Sequence, residues 1–408
     1  MRQSLFIAKL QYDKNKSGSY NNIMNKVTAA ECGDYESENL TRAIDYIISQ
    51  YGELFASIRN KSKIVIKPNL LMAKNKYDFL ALTSPKLLEA FINALKKFAK
   101  PENITIADSP GGPYMPSYMK MIYKYTGYDE TAQRTGVNLN FDFTSKQMTK
   151  VFNGERKTFN IITPIYESDF IINLNRLKTH ALALMSAGVK NMFGIIPGVE
   201  KVEMHSRYPT REKFSEMLVD LCAMCPPSFS LTDTVIAMEG NGPSGGTPRK
   251  VGLLLASDNV FALDKINAKI MGIEKDLPTV KYSEAQGYCG KEQEIEVNGE
   301  NGLKIEDYII KDLILPDSSG MTSMTASPII KGLMDTFFST KPFITDKCLK
   351  CKVCMENCPQ KVIKQNESNK KIKITDYNKC IRCYCCSELC PHDAITVKKS
   401  FLVRLLNK

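Results

Sequence analysis

A chain of 408 residues with 43% hydrophobic and 24% charged side chains has room for two or three folded units and the composition of a globular protein. Its formal charge of +11 is concentrated: residues 341–408 hold 15 Lys and Arg against 6 Asp and Glu, which leaves the first 340 residues nearly neutral and argues against a nucleic-acid surface. No apolar run reaches the roughly 18–20 residues that cross a bilayer, and Met1–Lys9 is too short an apolar stretch for an export signal, so a cytoplasmic protein without a transmembrane segment is expected.

Met1–Lys9 reads as a first strand. Leu40, Ile44, Ile47, Ile48, Tyr51, Leu54, Phe55 and Ile58 then recur at three and four residues, as on the buried face of a helix. A short β-rich run, Lys63–Ile66, closes on Lys67-Pro68-Asn69, and a second helix carries Leu87, Leu88, Phe91, Ile92, Leu95 and Phe98 behind Ser84 as cap and Pro85 in its first turn. Ile104–Ala107 is the next strand, followed by Asp108-Ser109-Pro110-Gly111-Gly112. Beyond a hairpin-like region, Phe170–Leu174 leads into Asn175-Arg176-Leu177-Lys178-Thr179-His180, and Val251–Leu255 is a further strand. Asp258 starts a helix through Phe261, Leu263, Ile266 and Ile270 that stops near Gly272, and residues 276–340, with Pro278, Pro316 and Pro328, read as an irregular closing segment plus linker. The alternation predicts an α/β fold, a largely parallel sheet with flanking helices over residues 1–335, a small α+β unit over 336–400, and a basic apolar tail at 401–408.

In such a sheet ligands collect beyond the C-terminal ends of the strands, where loops and helix N-termini converge. Lys67, Asn69, Asp108 and Lys178 all follow strands and are expected to bind an anionic substrate together with Asn191. Singly, Pro68 and Gly111 also read as turn punctuation, Asp108 as a helix cap and Lys178 as solvated surface. The Gly-rich stretch His180–His205 holds two of the three histidines, with Lys190 between small and apolar residues; His180, Lys190 and His205 are the predicted catalytic groups. The small-residue loop Glu239–Pro248 could offer backbone N–H groups to phosphate or carboxylate, but it lacks a P-loop ending, and no G-x-G-x-x-G follows a strand.

The last motif is a repeated pair: Cys348-x2-Cys351-x2-Cys354-x3-Cys358-Pro359, and Cys380-x2-Cys383-x2-Cys386-x3-Cys390-Pro391. Short gaps let three thiolates of one loop reach three corners of an iron–sulfur cube, which is the spacing of two-cluster ferredoxins; zinc sites use a longer gap between pairs. Residues 342–398 are similar to that ferredoxin family. The resemblance implies two [4Fe–4S] clusters, one held by Cys348, Cys351, Cys354 and Cys390 and the other by Cys380, Cys383, Cys386 and Cys358, because each fourth cysteine serves the other cluster. Cys385 is extra. Oxidised clusters would lower the local positive balance to about +5, and the remaining lysines either solvate the fold or steer an acidic redox partner such as a ferredoxin or flavodoxin.

Lys67-Pro68-Asn69, Thr83-Ser84-Pro85, Asp108–Gly112, Lys178-Thr179-His180, Gly188–Gly194, Glu239–Pro243 and Asp264 together resemble the prokaryotic family known as domain of unknown function 362, often followed by a ferredoxin module. That resemblance implies an α/β iron–sulfur protein and leaves the reaction open. A fainter similarity reaches the lactate racemase family, in which a nickel-pincer cofactor sits on a lysine ten residues after a histidine, with a nickel-ligating histidine further on; His180, Lys190 and His205 have comparable spacing, while Ala187-Gly188 replaces that family's two glycines. Three functions follow: an oxidoreductase passing single electrons to an anionic substrate or a further, unidentified cofactor, with His180 as proton donor and His205 assisting or binding metal; an electron carrier that only docks partners; or an isomerase with a lysine-bound cofactor. A deep pocket joining Lys178, His180, Lys190 and Asp108 would favour the first.

Overall fold

In the computed structural model, which describes residues 25–71, 79–198, 200–291, 294–319 and 341–398, β-branched runs too apolar for an exposed face line up as the centre of one sheet. Its strands are β1 (Asn25–Glu31), β2 (Ile64–Pro68), β3 (Ile104–Ile106), β4 (Asn138–Leu139), then, after a separate hairpin β5 (Ser145–Phe152) and β6 (Glu155–Ile162), β7 (Phe170–His180), β8 (Leu184–Ser186), β9 (Phe229–Asn241), β10 (Gly245–Ser257) and β11 (Ile295–Gly299). The order is β11-β1-β10-β9-β7-β2-β3-β4, with β8 on β7. From β9 through β4 every neighbour is parallel, with Ile64 opposite both Ile104 and Phe170. Strands β9 and β10 are joined by a tight turn and must run antiparallel, as does β1 on β10. The sheet is therefore mixed and mostly parallel, flanked by helices.

Each face carries its own core. Helix α1 (Ser37–Gln50) contributes Leu40, Ile44 and Ile47, and α2 (Pro85–Leu95) contributes Leu87 and Phe91 to one face. Met217 and Leu218 of Arg211–Met224 and Leu263 and Ile266 of Val260–Ile270 fill the other. These helices form because apolar side chains at three- and four-residue spacing gain more from joint burial than propensity alone supplies. Both predicted caps differ in detail. Ser84 makes no side-chain cap hydrogen bond, and Asn259, not Asp258, caps Val260–Ile270 by accepting from Phe261 N and Ala262 N.

Residues 276–340 are not simply irregular: Pro278–Ala285 is helical, and β11 adds in parallel to β1 at the sheet edge. Ile295 and Val297 are the only apolar positions of that strand, too few to signal it. Met1–Lys9, the 335/336 boundary and the tail 401–408 lie outside the described residues. No helix among the described residues is long and apolar enough to cross a membrane.

The cysteine-rich module pairs β12 (Lys341–Ile344) with β15 (Ile395–Lys398) and β13 (Ile363–Gln365) with β14 (Ile372–Ile374), all antiparallel. Two one-turn helices, Val353–Glu356 and Cys385–Glu388, follow the cysteine loops. Positive φ angles recur at one 32-residue offset: Lys350 and Arg382, Lys352 and Tyr384, Lys361 and Asp393. The cysteine repeat is thus a backbone repeat, since left-handed non-glycine residues are too uncommon to coincide three times.

Candidate functional site

The module's cysteines are all free and form two groups. Cys348, Cys351, Cys354 and Cys390 line one void of about 290 Å³, walled by Leu349, Ile372 and Ile395. Burial, and after it Cys383 and Cys358, push the Cys380 thiol pKa up, so Cys358 of the first run lies near the second group; Cys354 as well as Cys358 acts on Cys386. Among the described residues no three such side chains converge as they would on one metal ion. Four thiols spaced around a void fit a cube, and an all-sulfur donor set is the chemistry iron–sulfur clusters require.

The α/β unit and the module meet over a cleft enclosing about 790 Å³, the solvent at its mouth included. All eight residues predicted for the α/β site line it: Lys67, Asn69, Asp108, Lys178, His180, Lys190, Asn191 and His205. They divide by what they do there.

The floor is a closed polar network. Lys67 Nζ lies 2.9 Å from Asp108 Oδ1, both side chains buried, and Asp108 also accepts from Leu70 N at 3.0 Å and Ser109 N at 2.9 Å. Burial pulls the Lys67 pKa down and Asp108 pulls it back up. Lys178 Nζ donates to Asn69 Oδ1 at 2.8 Å and Ala81 O at 2.7 Å. Asn69 Nδ2 donates to Asn191 Oδ1 at 2.9 Å, and Asn191 Nδ2 to Asn173 Oδ1 at 2.7 Å. These groups satisfy one another, as buried polar atoms must, and they fix the floor's shape. A Cβ at Gly194 would fall well inside contact distance of Asp108 Oδ1 and Lys67 Nζ. Gly194→Ala is therefore expected to lower stability by about 1–3 kcal/mol in anaerobic urea denaturation, with both charged groups displaced.

His180 stands at the junction with the module. Its Nδ1 accepts from the backbone N–H groups of Leu182 and Ala183, both at 3.1 Å, so the proton of the neutral ring resides on Nε2. Nε2 lies 3.0 Å from Glu388 Oε1, though off the straight line of a full-strength hydrogen bond. Burial holds the imidazole pKa below its ordinary value against the pull of Glu388. Its one exchangeable proton faces the module's carboxylate, and Nε2 has no lone pair to give a metal. For Glu388 burial works against ionisation, but His180 and Lys190 outweigh it and keep the carboxyl below its usual range.

Lys190 and Lys201 also line the cleft. Lys190 belongs to the turn Gly188–Asn191, anchored by Asp264, whose oxygens accept from Gly188 N at 2.7 Å and Val189 N at 2.8 Å. Its ammonium sits 4.9 Å from the Phe193 ring centre and has its pKa lowered by burial, while the residue as a whole is only half-buried. Lys201 donates to Ser109 O and is pushed down to about 7 by burial. His205 stacks on Phe214 at 4.5 Å, and burial drives its pKa to about 3, so it stays neutral.

The residues that sequence reasoning missed come from the module: Cys385, Glu388 and Leu389 line the same cleft. Leu389 reaches it because Gly111 has no side chain in its way. Nothing in the spacing around Glu388 announces a partner roughly two hundred residues away. The loop Glu239–Pro248, readable from sequence as an anion cradle or equally as a plain loop, has these amides already engaged: Gly240 N donates to Ile314 O and Gly242 N to Gly240 O, and Pro243 lines the cleft.

Residues 64–269 match the family described as Domain of unknown function (DUF362), and residues 342–391 match the 4Fe-4S dicluster domain. A thylakoid-associated protein, sll1697, of Synechocystis sp. is 26% identical over 317 residues, covering 75% of this chain and 94% of that protein. Among solved structures, the lactate racemase apoprotein from Thermoanaerobacterium thermosaccharolyticum aligns at 12% identity and a TM-score of 0.37 over 57% of this chain. A protein from Thermotoga maritima aligns at 13% identity and a TM-score of 0.35 over 54%. The matches span 54% and 55% of those two solved chains.

Proposed function

The chain belongs to the DUF362 family and is an iron–sulfur protein, and from that premise we propose that it is an oxidoreductase that passes single electrons into a small anionic ligand held in the cleft. The α/β unit would end near residue 335, with the two-cluster module following. One observation carries the reading: a single cleft is lined both by lysines at the strand ends and by Cys385, the neighbour of predicted cluster ligand Cys386. When bound, the clusters supply one electron at a time.

Lys67, Lys178, Lys190 and Lys201 crowd this space against, among the described residues, only Asp108 and Glu388. Burial depresses the pKa of all four lysines, and an anion would relieve that cost by pairing with those that face it. Lys190 and Lys201 take the anion, the floor network of Lys67, Asn69, Asp108, Lys178 and Asn191 shapes its seat, and His180 holds its Nε2 proton toward Glu388 at the side of the module. His205 stays neutral and closes the wall. A carrier without chemistry of its own needs no lysine-rich cleft lined by buried charges.

Anaerobic preparations should yield a co-purified anion by mass spectrometry, and adding that molecule to dithionite-reduced protein should reoxidise the clusters. Absence of reoxidation would sink the oxidoreductase reading, and a mass adduct on Lys190 would replace it with the lysine-bound-cofactor one. Lys190→Met should release the anion with iron content unchanged. Lys201 carries its proton below pH 7 and loses it above, so affinity should fall as pH rises through about 7, and Lys201→Met should flatten that step.

A further inference from the structure

The two thiol groups face different surroundings. The Cys383–Glu388 segment is turned into the α/β unit, where Cys385 and Leu389 are buried against the cleft. The void of Cys348, Cys351, Cys354 and Cys390 is turned outward: Cys351 is exposed, and Leu349 in its wall is 70% exposed, the highest value among the large apolar side chains described. Lys347, Lys350 and Lys352 flank Leu349 in sequence and are exposed. On the neighbouring hairpin, Lys364 stands directly opposite Lys373, with Ile372 beside it forming part of the void's wall.

This arrangement costs the isolated protein stability. Like charges directly opposed across two strands repel, and an exposed leucine gains nothing from water. Asp346, Glu356 and Glu367 lie in the same stretch, yet none of these five lysines forms an ion pair among the described residues. Both costs are relieved by one kind of occupant, a surface that brings carboxylates around a small apolar spot. Because the covered wall encloses a cluster cage, the occupant that profits is one that exchanges electrons there.

Resting on the oxidoreductase reading above, we propose that the lysine-ringed surface around Leu349 is the docking port of an acidic one-electron carrier protein, which reduces the module through its outward cage. The carrier is oxidised by one electron and the module reduced by one, with no proton moved and no bond made or broken. The inward group then stands between the port and the cleft, so the two-cage module connects a protein-facing side to a ligand-facing side.

The test is anaerobic stopped-flow mixing of the oxidised full chain with a reduced, acidic plant-type [2Fe–2S] ferredoxin. Lys350→Glu with Lys352→Glu should lower the second-order reduction rate about tenfold or more at low ionic strength and flatten its fall with added salt. Leu349→Gln should slow the reaction while keeping the salt dependence. Iron content and the end point of dithionite reduction should match the parent protein in each case. Should the first pair disturb cluster loading, Lys364→Glu with Lys373→Glu, which lies in no cysteine loop, gives the same readout. Iron-replete reversal variants reduced at the parental rate with the parental salt slope would overturn the port. Failure of the cleft reading shows differently, as clusters that the ferredoxin reduces normally but the co-purified anion does not reoxidise.

Discussion

Cys358→Ser should cost the protein the inward cluster and leave the outward one, halving iron from about eight atoms per chain to about four. Cys358 belongs in sequence to the first run, so a reading of contiguous motifs would have it damage the cluster of Cys348, Cys351 and Cys354. The void points the other way: its fourth cysteine is Cys390, while Cys358 lies close enough to Cys380 and Cys386 to act on both thiols. Cys390→Ser should do the reverse. Low-temperature EPR of the dithionite-reduced variants separates the outcomes, because removing either cluster abolishes the magnetic coupling of two neighbouring reduced cubes. The two variants should also differ in function. Loss of the inward cluster should stop reoxidation by the cleft anion, whereas loss of the outward one should chiefly slow reduction by a protein donor. If Cys358→Ser removed the outward cluster, the crossed ligation would be wrong.

Lys67→Met is expected to destabilise the α/β unit by roughly 3–5 kcal/mol, a large share of the stability of an ordinary domain. The side chain is fully buried, and its Nζ lies 2.9 Å from Asp108 Oδ1. Removing it leaves a carboxylate out of water with, among the described residues, only the Leu70 and Ser109 amides as hydrogen-bond donors. Asp108→Asn should cost a similar amount by stranding the ammonium. The double variant Lys67→Met/Asp108→Asn should lose much less than the sum, because neither charge is then left uncompensated. Anaerobic urea unfolding followed by far-UV circular dichroism measures all three, and strict additivity would show that the pair is not coupled.

The sequence went furthest where function depends on short spacing. A cluster loop needs its thiolates within a few residues of one another, so the cysteine runs announced their chemistry without any fold. The strand-end residues were legible for a related reason: in a parallel sheet the C-terminal ends share one edge, so Lys67, Asp108 and Lys178 were bound to be neighbours once their strands were recognised. Elements lacking an apolar rhythm were missed, β11 above all, because an edge strand with two apolar residues buries too little to leave a pattern. The antiparallel pairing of β10 is likewise hidden, since the small residues of the turn that reverses it fit a ligand loop and a plain loop as well as a hairpin.

What the chain alone determined is the kind of chemistry: two four-cysteine runs of iron–sulfur spacing beside an α/β unit, with lysines and histidines following its strands. What only the folded molecule decided is how those groups stand. Two amides at Nδ1 place the His180 proton on the side of Glu388, a network absorbs Lys67, Asn69, Lys178 and Asn191, Lys190 is left partly exposed, and Cys385 comes to the cleft from the far end of the chain. The reason is physical. Ligand spacing is fixed by covalent bonds along the chain, whereas burial, proton location and electrostatic pairing are set through space by neighbours that no local pattern specifies.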